Sequence, residues 1–240
     1  MPRFFTEHAN ADEIIITGED ARHIGRSLRM RPGEHLTVCA EGMDYRCEIV
    51  RITEAEVFLH PLEITPCAAE PSVQVTLYQA VPKQDKLAEI VQKCTELGIY
   101  RIVPVLTARC VARPSASDFV KKSQRLQKIA LSAAKQSGRG IIPEVGSLLT
   151  WKEAITAMQK EDISVMLYEE EGGVRFGDVP LAEKKRIGLF IGSEGGISEE
   201  EAAEAAAAGL HRVWLGSRIL RCETAPTAAL SILMYLTGNL

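Results

Sequence analysis

Between residues 13 and 63 the chain alternates apolar and polar positions in four short runs, 13–17, 35–40, 44–52 and 56–63. A period of two predicts strands that bury one face. Pro32-Gly33 and Glu41-Gly42 supply turn signals between runs, so this part reads as a small β-barrel. One stretch, 20–30, takes the helical period instead and places Arg22, Arg26 and Arg29 on one face. Residues 65–72, with Pro66 and Pro71 around Cys67-Ala68-Ala69-Glu70, follow neither period and predict a linker. The expected organisation is two domains, 1–70 and 73–240.

Beyond the linker the pattern changes to alternating strands and helices. Strands are predicted over 73–81, 101–107, 164–169, 186–191 and 212–215, and helices over 86–97, from 118, from 151 to 160, from 199 and over 226–236. Such alternation predicts an α/β domain with a parallel sheet. Two of the helix starts are capping boxes, Thr150-Trp151-Lys152-Glu153 and Ser198-Glu199-Glu200-Glu201, and Gly98 and Gly209 are stop signals. The run 186–191 is nearly all apolar, as a central strand covered on both faces requires.

Charge changes this picture locally. The net charge is −4, but residues 1–72 hold seven Lys and Arg against thirteen Asp and Glu, whereas 107–143 hold eight basic residues and one acid, Asp118. Lys121, Arg125, Lys128, Lys135 and Arg139 recur at helical spacing and share one face, with Phe119, Leu126, Ile129, Ala130 and Ala133 roughly opposite. A face without acids favours a polyanion such as RNA over simple solvation. The six cysteines, Cys39, Cys47, Cys67, Cys94, Cys110 and Cys222, form no Cys-x-x-Cys pair and have no histidine at zinc-ligand spacing, so no metal site is predicted. No stretch is apolar enough to span a bilayer, and residues 1–12 lack the apolar core of a signal peptide. A cytoplasmic protein with reduced thiols and no membrane partner is the expectation.

The candidate chemistry lies in two loops that follow predicted strands, Gly192-Ser193-Glu194-Gly195-Gly196 and Leu215-Gly216-Ser217-Arg218-Ile219-Leu220-Arg221-Cys222-Glu223-Thr224-Ala225. Parallel sheets place ligands at such ends. Neither the P-loop nor the dinucleotide fingerprint is present, and Glu194 with Glu199, Glu200 and Glu201 would repel a phosphate. S-adenosylmethionine, which has no phosphate and carries a positive sulfonium, suits these loops better. From the residues alone a methyltransferase, a non-catalytic RNA-binding module and a dinucleotide-dependent enzyme all stay open.

These motifs resemble those of the RsmE-type methyltransferases of the SPOUT superfamily, which modify uracil N3 in 16S ribosomal RNA of the small subunit. The similarity runs over almost the whole chain: Arg3-Phe4-Phe5, residues 23–29, the block 83–98 with Lys93-Cys94-Thr95-Glu96-Leu97-Gly98, then Arg109, Gln136-Ser137-Gly138-Arg139 with Pro143, and the two loops. The resemblance implies a PUA-like RNA-binding barrel followed by an α/β domain closed by a deep trefoil knot, and a homodimer acting on small-subunit ribosomal RNA or the 30S particle. The cofactor residues it implies are Leu167, Tyr168, Glu169, Ile191, Gly192, Glu194, Gly195, Gly196, Leu215, Gly216, Ile219, Leu220, Arg221, Thr224 and Ala225. One departure is Ser193, where the family usually has proline.

Methyl transfer to N3 requires the nitrogen to lose its proton. Arg221 is the candidate to orient the uracil and stabilise its negative charge, and Glu223 or Glu194 the candidate proton acceptor. Arg3, Arg22, Arg26, Arg29, Arg109, Lys121, Arg125, Lys128, Lys135 and Arg139 are the candidate RNA contacts. Cys222 and His23 read as packed residues. A knotted RNA ribose 2′-O-methyltransferase is the alternative within the same resemblance.

Overall fold

The computed structural model describes residues 1–168 and 173–240. The chain divides into two units, one of residues 1–70 with 134–141 and one of 71–133 with 142–240.

The first unit is a five-stranded sheet ordered β1-β3-β4-β5-β2, built from Arg3–Phe5 (β1), Ile14–Thr17 (β2), His35–Ala40 (β3), Met43–Ile52 (β4) and Glu56–Pro66 (β5). β1 runs parallel to β3 and the other pairs are antiparallel. Its inward positions, among them Phe4, Ile14, Ile16, Leu36, Val38, Cys47, Ile49, Val57 and Leu59, form one buried cluster. Register shifts between Arg46 and Cys47 and between Ile49 and Arg51 bend the long β4–β5 ribbon. Among the described residues β1 and β2 do not pair with each other, so the sheet is open where the sequence predicts a closed barrel.

The helix expected over 20–30 also differs. Helix α1 covers only Gly18–Arg22, and His23–Ser27 continue as a widened turn in which Leu28 N–H donates to His23 O at 2.9 Å and Met30 N–H to Ile24 O at 3.1 Å. Arg22, Arg26 and Arg29 are all exposed, and Arg26 pairs with Glu54 at 2.8 Å.

The segment 134–141 joins this unit through ion pairs. Lys135 reaches Asp20 at 2.9 Å and lies over the Phe4 ring, and Arg139 meets Glu70. Gly140 is flush against Cys67, where a Cβ would come within 2.5 Å of the Cys67 Cβ.

The second unit is a parallel sheet ordered β12-β10-β11-β6-β7-β8. Its strands are Gln74–Ala80 (β6), Arg101–Leu106 (β7), Glu144–Val145 (β8), Ile163–Leu167 (β10), Arg186–Ile191 (β11) and His211–Val213 (β12), with Leu149–Thr150 (β9) also on β7. Successive residues of β6 and β11 point to opposite faces, and both faces are covered. Val75, Leu77, Ile187 and Leu189 pack in a core with Lys86–Glu96 (α2), Ala116–Ser137 (α3) and Thr224–Leu236 (α6). Tyr78, Ala80 and Phe190 pack in another with Trp151–Met158 (α4) and Glu199–Ala207 (α5). This explains the apolar run at β11.

Both capping boxes form. Thr150 Oγ1 and Ser198 Oγ each accept the N–H three residues on, and Glu153 and Glu201 return the bond. The inner face of α3 carries buried Phe119, Leu126, Ala130 and Ala133. Among the described residues no helix is long and apolar enough to cross a membrane.

Candidate functional site

The C-terminal ends of β10, β11 and β12 open into one cleft. Leu167 and Tyr168 line it from β10, Ile191, Gly192, Ser193, Gly196 and Ile197 from β11, and residues 213–220 with Cys222 and Ala225 from the segment running from β12 into α6. Two glycines shape it. Gly196 has φ of +70° and its N–H donates to Ser193 O at 3.0 Å, closing a tight turn. Gly216 has φ of +107°, a conformation that side chains other than glycine's rarely tolerate. Among the described residues Arg218 is the one Lys or Arg that lines the cleft.

The sequence candidates divide by position. Leu167, Tyr168, Ile191, Gly192, Gly196, Leu215, Gly216, Ile219, Leu220 and Ala225 meet at the cleft. Glu169 lies outside the described residues. Gly195 sits beside the cleft rather than in it, because a Cβ there would lie 2.8 Å from Arg109 O, and Arg109 Nη1 donates to Gly195 O at 3.3 Å. Arg221 and Thr224 are exposed, and the Arg221 carbonyl accepts the N–H groups of Thr224 and Ala225, both at 2.9 Å, at the start of α6.

Glu194 and Glu223 do not line the cleft. Their carboxylates converge on Lys86, the first residue of α2, each 3.1 Å from its Nζ. Glu194 also accepts the Lys83 N–H at 3.1 Å. Partial burial pushes both carboxyls upward, but their own N–H groups and the Lys86 ammonium outweigh it and hold both below the ordinary range. Glu223 first and then Glu194 raise Lys86 in turn. Carboxylates so held are weak proton acceptors, which counts against Glu223 as the base. Cys222, beside Glu223, is pushed up to about 12 by burial and by that neighbour, so it is a thiol rather than a nucleophilic thiolate.

Several residues of the site escaped the sequence reading. Ile197, Val213 and Trp214 line the cleft outside the candidate loops, alongside Ser193, Ser217, Arg218 and Cys222, which those loops contain. Gln79, fully buried at the end of β6, donates from Nε2 to Gly192 O at 3.2 Å. Glu201, besides capping α5, accepts the Ala108 N–H at 2.7 Å, which ties the loop after β7 to α5. Lys86 falls inside the block 83–98, the one signal that could have singled it out.

The basic helix splits. Lys121, Arg125 and Lys128 are exposed in the second unit, and Arg125 pairs with Asp85. Arg109 is exposed. Lys135 is half-buried on Asp20, and Arg139 is buried at 2% on Glu70. Arg3, with Nη1 and Nη2 on the Asp44 carboxylate at 2.6 and 2.9 Å, is a structural ion pair in the first unit. Arg139 is therefore corrected from an RNA contact to an interior group. The helical period groups it with Lys121 but cannot show which turns are covered.

All six cysteines are buried and free, and among the described residues no cluster of His, Cys, Asp or Glu could hold a metal ion.

Comparison with known proteins bears on the same elements. Residues 69–234 match the family described as RNA methyltransferase domain, and 16–62 the family described as RNA methyltransferase PUA domain. A protein of Bacillus subtilis named ribosomal RNA small subunit methyltransferase E is 34% identical over 99% of this chain and 97% of its own length. Its namesake in Aquifex aeolicus is 31% identical over 98% and 99%. The crystal structure of a Neisseria gonorrhoeae protein of that name, bound to S-adenosyl methionine, superposes with a TM-score of 0.87 at 30% identity, covering 98% of each chain. With matched domains in both units and relatives aligned from end to end, the chain belongs to the ribosomal RNA small subunit methyltransferase E family.

Proposed function

We propose that this protein transfers the methyl group of S-adenosylmethionine to N3 of a uridine in 16S ribosomal RNA of the small subunit. The observation that carries the reading is the cleft itself. It is largely apolar, turned by glycines and set at the ends of three parallel strands, with Arg218 the one basic side chain in its lining among the described residues. The bound cofactor supplies an electrophilic methyl on a positive sulfonium. Main-chain groups of residues 191–196 and 215–220, with the side chains of Leu167, Ile191, Leu215 and Leu220, would hold it.

The chain's own residues then bind and orient the RNA. Arg221, exposed on the loop beside the cleft, presents its guanidinium to the uracil and stabilises the negative charge left as N3 passes its proton to solvent water. Lys121, Arg125, Lys128 and Arg109 on one unit, and Arg22, Arg26 and Arg29 on the other, offer exposed cations for phosphates, so affinity for RNA falls as salt rises. A trefoil knot through the cofactor loops, pairing of two copies and a cytoplasmic setting with 30S particles as substrate belong to the same reading. The exposed Tyr235 and Leu236 of α6 support pairing.

Calorimetric titration with S-adenosylhomocysteine, with NAD as control, tests the cofactor class: saturable binding of the first alone is expected. Nucleoside analysis of 16S RNA after reaction should then show N3-methyluridine, and a ribose-methylated nucleoside would overturn the N3 assignment. For Arg221→Ala the expectation is S-adenosylhomocysteine affinity near that of wild type with methyl transfer reduced about a hundredfold or more; full activity would remove Arg221 from the mechanism.

A further inference from the structure

The segment that leaves β6 holds both cofactor loops. Gln79 Nε2 donates to Gly192 O, the Lys83 N–H donates to the Glu194 carboxylate, and Lys86 Nζ reaches Glu194 and Glu223 at 3.1 Å each. Glu194 lies in the loop after β11, and Glu223 is the residue that opens α6 at the end of the 215–223 loop. One ammonium thus joins two loops that α5 and β12 separate in sequence.

The placement of that ammonium is informative. A cation in the first turn of a helix opposes the helix dipole, whose positive end is there. Lys86 starts α2 and is compensated by two carboxylates from other elements. Its side chain is 27% exposed and those of Glu194 and Glu223 are 25% and 16% exposed, so solvent screens the group only in part.

We propose that Lys86 is a positioning residue for methyl transfer, clamping the 192–196 and 215–223 loops into one cofactor-binding arrangement through Glu194 and Glu223. The inference rests on the reading of the cleft as the cofactor site. Without the ammonium, Glu194 and Glu223 face each other as like charges and drive the loops apart. The other groups near the cluster do not replace it. Cys222 is a neutral thiol 3.8 Å from Lys86, Lys83 contributes its backbone N–H, and Lys93, which feels Glu223, is engaged by Glu89 at 2.6 Å.

The test is the dissociation constant of S-adenosylhomocysteine for wild type, K86M, K86R, E194Q and E223Q at pH values from 5 to 8, with melting temperatures of the free proteins. At pH 8, K86M should bind about five- to thirtyfold more weakly than wild type. The ratio of the two constants should shrink toward pH 5, because one of two adjacent carboxylates then takes up a proton and the repulsion disappears. K86R should recover most of the affinity. Should K86M fail to fold, the single Gln variants decide, since each cuts one tie and leaves Lys86 compensated; each should weaken binding severalfold. Wild-type affinity in K86M, or in both Gln variants, overturns the proposal, as does a deficit in K86M that ignores pH. Failure of the wild type itself to bind S-adenosylhomocysteine would instead overturn the cofactor reading.

Discussion

Replacing Glu70 with alanine is expected to destabilise the protein by about 3–5 kcal/mol, the cost of breaking a buried ion pair from one side. Arg139 Nε and Nη2 each donate to the Glu70 carboxylate at 2.8 Å, and the Arg139 side chain is 3% exposed. Glu70 Oε1 also accepts the N–H groups of Gly140 and Ile141, at 2.8 and 3.0 Å. The substitution takes a carboxylate from an interior guanidinium and an acceptor from two backbone donors at once. Glu70→Gln keeps an oxygen for the backbone and should lose less. Arg139→Met removes the interior charge itself and leaves only the more exposed partner, so it should fall between them. Urea denaturation of the three variants gives this order; a Glu70→Ala protein as stable as wild type would return Arg139 to the list of groups available to RNA.

The same motif shows where sequence reading reaches its limit. Gln136-Ser137-Gly138-Arg139 was legible as a resemblance and as the end of a basic helix. In the fold it is a joint, with Gly138 at φ of +78° just past α3, Arg139 turned to Glu70, and Gly140 against Cys67. Period gives the face of a helix; only the packing of distant segments says which turns of that face are covered. The strands at 35–40 and 186–191 were legible to the residue, the first from apolar residues at alternate positions although five of its six residues are buried, the second from a continuous apolar run that follows directly from two-sided burial. Strand β1 was not, because Arg3-Phe4-Phe5 is too short to show a period, and β8 and β9, of two residues each, are shorter still.

At the site, glycines and apolar loop residues could be read because backbone conformation is a local property. The ionic partners could not. Lys86 meets carboxylates more than a hundred positions away, and nothing in its neighbourhood distinguishes it from Lys83 or Lys93. The acids Glu194 and Glu223 were legible as chemistry but not as a pair. Their convergence on one lysine is a contact that no local pattern in the sequence carries.

Gly216→Ala is the sharpest probe of the cleft, because only one physical effect is in play. A Cβ at Gly216 would meet nothing within 4 Å, so no clash arises, while the φ of +107° is one an alanine can hold only under strain. Strain of about 1–3 kcal/mol is relieved if the 215–223 loop relaxes to a negative φ, which moves Leu215 and Ser217 at the cleft wall. At 1.4 kcal/mol per tenfold, affinity for S-adenosylhomocysteine should fall about five- to hundredfold. Gly209 offers the matched control: its φ is +90°, a Cβ there also meets nothing within 4 Å, and it ends α5 away from the cleft lining. Gly209→Ala carries comparable strain and should lower the melting temperature while leaving cofactor affinity unchanged. Calorimetric titration of both proteins separates the two outcomes. Equal loss of affinity in the two would mean that global destabilisation accounts for the effect, and unchanged affinity in Gly216→Ala would mean that the 215–223 loop does not shape the cofactor site.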